Sequence, residues 1–267
     1  MEFPGFYGNE QLKSNLSAAL DRQRPAHFYL ISGPKGSGKH TLARLLSAAL
    51  LCRSSGKRPC GICNQCHKAL TGSHPDLITV DDTEHKTVPV AVIRQAREDL
   101  FIRPNEAERK IYFVPRAQDL GLPGQNALLK VLEEPPAYGV FLLLTDNPDK
   151  LLPTVRSRCT ELKLQPLSRD ILLENLRKAR PDASPDAVAG AAARSGGWLG
   201  QALELLASAL TCRAGMPPLD PLSRALAVGR TSGELSRSVA ALSQAGLLLE
   251  GNVSPGAVCG ALVWQLR

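Results

Sequence analysis

The segment from Gly33 to Lys39 constrains the fold of this chain more than any other part of its 267 residues. It reads Gly-Pro-Lys-Gly-Ser-Gly-Lys, follows the apolar run 27–31 and precedes a helical pattern that begins near Thr41. Glycines at these spacings let backbone N–H groups approach an anion closely at the N-terminus of a helix. A strand, this loop and a helix in that order predict a phosphate-binding loop in an α/β protein.

Short apolar runs continue to alternate with helical patterns after this loop, which favours a parallel sheet flanked by helices. From Ser168 onward only helical periodicity remains, and 215–221 has the composition of a linker. We therefore predict an α/β domain over 1–165, an all-helical domain over 166–210 and a short helical domain over 211–267. The predicted strands are 27–31, 77–80, 110–114, 140–144 and 160–164, and the clearest predicted helices are 9–23, 89–102 and 125–134.

The residues of the loop favour nucleotide binding but disfavour hydrolysis. Lys39 supplies positive charge for a phosphate group, whereas the next position, where a hydroxyl would hold Mg²⁺, is His40. Thr41 lies one residue further on, about 100° around the helix. We expect ATP or ADP, if bound, to contact Gly33, Pro34, Lys35, Gly36, Ser37, Gly38, Lys39, His40 and Thr41.

The end of the predicted strand 110–114 also disfavours hydrolysis. A hydrolysing site of this class needs carboxylates there, one for the water shell of the metal and one to position the attacking water. The chain has Pro115 and Arg116 instead, and the nearest acid, Asp119, lies in the following loop. Neither proline nor arginine can act as a general base, so the sequence predicts that the chain does not hydrolyse ATP.

Four clustered cysteines predict a metal site inside the first domain. They are spaced by seven, two and two residues within 52–66, and four thiolates around one knuckle suit a closed, structural Zn²⁺ site. Such a site stabilises an inserted segment that is too small to bury a hydrophobic core of its own. The predicted ligands are Cys52, Cys60, Cys63 and Cys66, with His67 and His74 as competing candidates.

Composition narrows the function classes further. Only 4% of the residues are aromatic, which disfavours a stacking platform for single-stranded nucleic acid, while the net charge of +7 weakly favours contact with nucleic acid. The chain starts without a signal-peptide pattern and has no apolar stretch long enough to cross a membrane. We expect a cytoplasmic protein with reduced cysteines and no membrane contact.

Several stretches resemble, in order, the clamp-loader subunits of bacterial DNA polymerase III, which are AAA+ proteins. The resemblance extends over residues 5–205 and implies an AAA+ sheet domain with a zinc module, then a helical lid and a collar. The family's collar is longer than 211–267, so we expect a short or truncated one. The matching stretches are 33–39, the cysteine insertion 52–66, His-Pro-Asp at 74–76, 126–136 and 154–159.

Within that family the resemblance favours the delta-prime type over the gamma/tau-type motor. Motor subunits keep a hydroxyl after the loop lysine, an acidic pair after the third strand and an arginine in the lid, where this chain has His40, Pro115-Arg116 and Gly200. The resemblance implies that Arg158, flanked by Ser157 and Cys159, acts in trans as an arginine finger on a neighbouring ATPase subunit. Taken without the resemblance, the tripeptide is better explained by an exposed salt bridge.

The implied partners are a gamma/tau-type ATPase subunit and a delta subunit, with the sliding clamp and primer–template DNA reached through the assembly. Two alternatives stay open: an active gamma/tau-type ATPase with unusual ligands, and a separate zinc-dependent nucleic-acid-binding protein. Basic side chains near the predicted helix 89–102 are candidates for a DNA channel, although a solvated helix face is the more ordinary explanation for them. They are Arg94, Arg97 and Arg103.

Overall fold

A computed structural model of the chain describes residues 1–213, except Gln23 and Ser55. The predicted collar domain, apart from its first three residues, and the predicted linker 215–221 therefore lie outside the described residues. The chain divides into two compact units, one spanning Met1–Ile171 and the other beginning at Leu172. The domain limits given above stay a prediction.

The first unit contains the predicted parallel α/β sheet. The strand order is β2-β3-β4-β1-β5, and every neighbouring pair runs parallel. Because β1 lies between β4 and β5, the loop that follows β1 emerges between the carboxyl ends of those two strands. The strands are β1 (Phe28–Ser32), β2 (Leu77–Thr79), β3 (Lys110–Val114), β4 (Gly139–Thr145) and β5 (Thr160–Lys163).

Helices follow most strands, as parallel connections require. The described helices are α1 (Glu10–Asp21), α2 (Lys39–Leu51), α3 (Asn64–Thr71), α4 (Val90–Asp99), α5 (Leu122–Glu133), α6 (Pro153–Arg156), α7 (Arg169–Ala179), α8 (Pro185–Arg194) and α9 (Leu199–Arg213). Short 3₁₀ turns at Ala117–Asp119 and Pro148–Lys150 complete the connections after β3 and β4.

The central strands form the core of the first unit. Every residue of β1 and β4 is buried, which agrees with their nearly continuous apolar sequence. Three aromatic rings from adjacent strands stack across the sheet: Tyr112 on Phe141 at 4.7 Å and Phe141 on Phe28 at 5.1 Å between ring centroids. The edge strands β2 and β5 are more exposed.

The second unit is helical in its described part. The side chain of Ser184 accepts a hydrogen bond from the Ala187 backbone N–H at the start of α8, and Pro185 occupies the first turn, where it needs no hydrogen-bond partner. Buried side chains such as Leu176, Val188 and Leu206 lie on three successive helices.

Predicted and observed elements agree closely in the sheet. All five strands lie within one residue of their predicted bounds at each end. Helix α5 begins three residues earlier than predicted, since Pro123 is tolerated in a first turn. The prediction missed α3, because 60–66 reads as a polar loop, whereas the structure places Cys66 inside that helix and buries it.

Across the part of the chain that is described, none of the helices has the length and apolar character to cross a membrane.

Candidate functional site

The phosphate-type loop connects β1 to α2, as predicted. The Gly33 N–H donates to the Thr145 carbonyl at 3.2 Å, which ties the start of the loop to the end of β4. Gly38 has a φ of 93°, a conformation that side chains other than glycine rarely adopt. A Cβ atom at Gly33 would lie 2.7 Å from the Ser37 Oγ atom and 3.2 Å from the Leu164 Cβ atom, so a side chain there would require these neighbours to shift.

The loop lysine is buried and fully engaged within the chain. Only 5% of Lys39 is exposed, and its Nζ atom donates to the carbonyls of Gly33 at 2.6 Å and Pro34 at 2.9 Å. The same Nζ atom lies 2.5 Å from the Oδ1 atom of Asp146, the first residue after β4. Asp146 was not among the predicted site residues.

The side chain after this lysine is exposed, and one edge of its ring contacts the sheet. The His40 ring meets the Phe113 ring edge-on, with 5.8 Å between centroids. Partial burial and the adjacent charges of Lys39 and Arg44 lower the pKa of His40 below its ordinary value. Thr41 is exposed on the next position of α2. Imidazole at this position supplies no hydroxyl for Mg²⁺.

The end of β3 carries an arginine that binds the loop after β2. Arg116 donates from Nε at 3.0 Å and from Nη2 at 2.8 Å to the Oδ1 atom of Asp81, and it also reaches the carbonyl of Asp82. Its Nη1 atom lies 3.7 Å from Asp119, and these acids raise the pKa of Arg116. Asp119, the acid nearest along the chain to the absent pair, is therefore paired with an arginine and lies in a 3₁₀ turn.

The four predicted metal ligands come together. The four sulfur atoms all lie within 4.8 Å of one another, and Cys60 and Cys66 are separated by 3.9 Å between their sulfurs. A tetrahedral ion with metal–sulfur bonds of about 2.3 Å places sulfurs about 3.8 Å apart. The donor set and its spacing therefore fit a closed four-thiolate site, formed by Cys52, Cys60, Cys63 and Cys66.

Backbone N–H groups point at these sulfurs. Those of Ser54, Cys63 and Cys66 each donate to a cysteine sulfur two or three residues earlier, at 3.4 Å. The N–H groups of Cys63 and Ile62 lower the pKa of Cys60 to about 6, which favours its thiolate form. Burial raises the pKa of Cys66, a cost that a bound cation would offset.

The histidines proposed as competing ligands lie outside this cluster. His74 is buried, with one ring nitrogen bonded to the Gln65 side chain and Nδ1 accepting from the Asp76 N–H at 2.9 Å. Burial lowers the pKa of His74, which matches a neutral ring with one donor and one acceptor nitrogen. His67 is exposed on α3.

The next acid along the chain, Asp76, anchors the loop before β3. Its carboxylate accepts backbone N–H bonds from Asn105 at 2.6 Å, Glu106 at 2.8 Å and Ala107 at 2.9 Å. The Glu106 side chain in turn pairs with Lys68 of α3 at 2.7 Å. The His-Pro-Asp stretch thus joins the cysteine cluster to the sheet and has no direct part in it.

The predicted finger residue is exposed after α6. The Arg158 side chain is 40% exposed, donates to the Thr154 carbonyl at 3.1 Å, and lies 3.4 Å from a Glu133 carboxylate. Ser157 is also exposed and donates to the Thr154 carbonyl at 3.2 Å. Cys159 is partly buried and packs against the core, and this burial raises its pKa to about 12. Ser157 and Arg158 are therefore exposed, whereas Cys159 belongs partly to the core, and the role of Arg158 as a finger stays a prediction.

The candidate DNA-contacting arginines lie along and just after α4. Arg94 and Arg103 are exposed, and Arg97 is half-buried. Exposure suits both a DNA channel and a solvated face, so the DNA contact stays a prediction.

Comparison with known proteins gives the family of the chain. The family model described as "DNA polymerase III, delta subunit" matches residues 8–168. The chain belongs to the family of DNA polymerase III clamp-loader subunits. The resemblance predicted from sequence is confirmed.

Relatives of two types match this clamp-loader chain. The delta' subunit of Pseudomonas aeruginosa is 35% identical over 178 residues, covering 66% of this chain and 54% of that protein. The delta' subunit of Bacillus subtilis is 34% identical over 62% of this chain and 50% of its own length. The gamma/tau subunit of Mycobacterium tuberculosis is 35% identical over 73% of this chain and 34% of its length. The chain thus spans about a third to a half of these relatives, and identity does not separate the two types.

Solved structures support the fold. The Holliday junction branch migration motor RuvB of Thermotoga maritima superposes with a TM-score of 0.53 at 19% identity, covering 96% of this chain and 82% of that one. A point variant of the same protein gives a TM-score of 0.54 at 18% identity, covering 98% of this chain and 84% of that one. The predicted AAA+ fold class is confirmed.

Proposed function

We propose that this chain is a delta-prime-type clamp-loader subunit that does not hydrolyse ATP and supplies Arg158 in trans to the ATP site of a neighbouring gamma/tau-type subunit. The observation that carries the proposal is the end of β3, where Arg116 stands in place of a catalytic carboxylate. Its guanidinium is held by Asp81 and Asp119, so its position is fixed by the fold. An arginine so held leaves the chain's own loop without a group to position a water molecule.

The surroundings of Arg158 support its role as a donor. Its contacts with Glu133 and Thr154 are exposed, and exposed ion pairs stabilise proteins by only about 0–1 kcal/mol. Reorienting the guanidinium toward a phosphoryl group on another subunit therefore costs little. Arginine remains charged at any physiological pH and donates several hydrogen bonds in one plane, which suits a transferring phosphoryl group.

We propose zinc as the metal of the cysteine cluster. Four thiolates leave no open coordination position, so the ion would be structural, joining the end of α2 to α3. A structural role agrees with the contacts of α3, whose Lys68 pairs with Glu106, a residue that also donates its backbone N–H to Asp76.

The proposed partners follow from the family. They are a gamma/tau-type ATPase and a delta subunit in the loader, with the sliding clamp and primer–template DNA acting through the assembly. Arg94, Arg97 and Arg103 are proposed phosphate contacts for that DNA, since phosphate recognition needs positive charge and no particular base.

The test is ATP hydrolysis by the loader reconstituted from this chain with gamma/tau-type and delta subunits, measured for wild type, Arg158→Ala and Arg156→Ala. Arg156 is the matched control, because it is an arginine two residues away that pairs with Asp149 at 2.9 Å. Loss of an arginine finger slows ATP hydrolysis by about 10³-fold or more at the ATP site that the finger contacts. We expect the Arg158→Ala complex to lose the contribution of one site, the Arg156→Ala complex to keep wild-type activity, and the chain alone to be inactive.

An active gamma/tau-type ATPase is the second candidate, favoured by the 35% identity to such subunits over 73% of the chain. Hydrolysis by the purified chain that Lys39→Ala abolishes would establish this candidate and refute the proposal. An Arg158→Ala complex with the full wild-type rate of ATP hydrolysis would refute the finger role. Whether the chain hydrolyses ATP at its own loop would then still be decided by the assay of the purified chain.

A further inference from the structure

The ammonium group of Lys39 has no donor left for a ligand. A lysine ammonium carries three N–H donors, and Nζ has three acceptors, the carbonyls of Gly33 and Pro34 and the carboxylate of Asp146. All three distances are 2.9 Å or less, so each donor is satisfied inside the chain. A phosphate oxygen can bind this lysine only by replacing one of these acceptors.

The sheet register brings the carboxylate to this place. Ser32 of β1 and Thr145 of β4 are direct partners in the parallel ladder, so Gly33 and Asp146 leave the sheet side by side. The Gly33 N–H bond to the Thr145 carbonyl holds the two chain segments together at that point. Asp146 therefore stands at the carboxyl ends of the strands, where sheets of this kind bind anionic ligands.

The segment that carries this carboxylate is itself braced. The Asn147 N–H donates to the Thr145 Oγ1 atom at 3.1 Å, and the Asn147 side chain accepts from the Asp149 N–H at 3.0 Å. Asp146 is half exposed, while the lysine it faces is buried, so the carboxylate is the solvent-accessible member of the pair.

We infer that the Asp146 carboxylate competes with phosphate for the loop lysine. By occupying Lys39, it keeps nucleoside phosphates out of this loop. Two effects act together. The carboxylate accepts a hydrogen bond that a phosphate would otherwise receive, and its negative charge repels an incoming phosphate at short range. The loop then serves as a fixed part of the domain, with its lysine bound to the end of β4, whether or not neighbouring subunits hold ATP.

The test is equilibrium binding of Mg²⁺-ADP and of inorganic pyrophosphate to the full chain by isothermal titration calorimetry. Asp146→Asn removes the charge and keeps the size of the side chain. Asp149→Asn is the matched control, since Asp149 is an exposed acid three residues away that pairs with Arg156. We expect Asp146→Asn to bind at least about tenfold more tightly than wild type, and Asp149→Asn to bind as wild type does.

The double variant Asp146→Asn with Lys39→Ala identifies the group that is released. If the lysine is freed, the double variant loses the tighter binding. Asp146→Ala provides a second removal of the charge, and thermal unfolding shows that each variant is folded.

Three results would overturn the inference. The first is equal affinity of wild type and both Asp146 variants for the two ligands, including no measurable binding by any of them. The others are an equal gain in affinity in Asp149→Asn, and a gain in affinity that persists when Lys39 is also replaced. None depends on Arg158 or on the assembled loader. The inference can fail while the arginine-finger role stands, and the reverse also holds.

Discussion

Replacing Asp76 by asparagine should destabilise the first unit, because its carboxylate is buried and serves as the common acceptor for three backbone N–H groups. Asparagine offers one carbonyl oxygen and one NH₂ group in place of two carboxylate oxygens. If the carbonyl keeps the bond from Asn105, the N–H groups of Glu106 and Ala107, which now share Oδ2 at 2.8 and 2.9 Å, face a donor.

The size of the effect follows from those two bonds. A hydrogen bond to a charged acceptor contributes about 1.5–3 kcal/mol when one partner is lost, and two bonds that share an oxygen are not fully additive. We expect Asp76→Asn to lower the free energy of unfolding by about 2–4 kcal/mol. Amide hydrogen exchange of the segment 105–107 should accelerate by roughly 30-fold or more, since about 1.4 kcal/mol corresponds to a factor of ten.

The assay combines urea unfolding followed by circular dichroism with hydrogen exchange measured by mass spectrometry. Asp82→Asn is the control, because that carboxylate also accepts a backbone N–H, from Glu84 at 3.0 Å, but on an exposed loop. The control should leave both the free energy of unfolding and the exchange at 105–107 close to their wild-type values. Wild-type stability and wild-type exchange at 105–107 in Asp76→Asn would refute the role given to this carboxylate.

The same carboxylate predicts a pH dependence. Burial by itself raises the pKa of Asp76, but the N–H bonds from Asn105, Glu106 and Ala107 outweigh it and hold the pKa below its ordinary value of 3.8. A pKa depressed in the folded state gives stability that is present above the unfolded pKa and is lost as the pH falls through the folded one. The difference between wild type and Asp76→Asn should therefore be full at neutral pH and shrink below about pH 4.

Two further predictions concern the metal and a buried lysine. Purified, reduced protein should contain about one zinc per chain by metal analysis. Cys60→Ser should lower both the zinc content and the thermal stability, because the metal stabilises this part of the fold. A folded wild-type sample without metal would contradict the zinc site. Lys110 is buried, lies 2.9 Å from Asp99 and donates to two carbonyls at the end of α4, so Lys110→Met should cost about 2–4 kcal/mol in chemical unfolding. The exposed Lys57→Met serves as its control, and equal stability of the two variants would show that the buried pair contributes nothing.

Local patterns along the chain were sufficient to predict the sheet and two clusters of candidate residues. Continuous apolar runs such as 140–144 predicted buried parallel strands, and the spacing of the cysteines predicted that their sulfurs converge. Both predictions depend on residues that are close in sequence or on a regular repeat. The prediction failed at α3, since eight residues containing polar side chains and a metal ligand carry too little helical periodicity to be recognised.

The contacts that give individual polar residues their roles were decided by the tertiary structure. No local pattern connects Asp146 with Lys39, which lie far apart along the chain, because the contact depends on β4 lying beside β1 in the sheet. The same holds for Arg116 and Asp81, which meet only because β2 and β3 are neighbours. Side-chain chemistry and short-range periodicity can be determined directly from the order of the residues. Strand order and register are instead set by packing of the whole core, and this order and register determine which charged side chains come into contact.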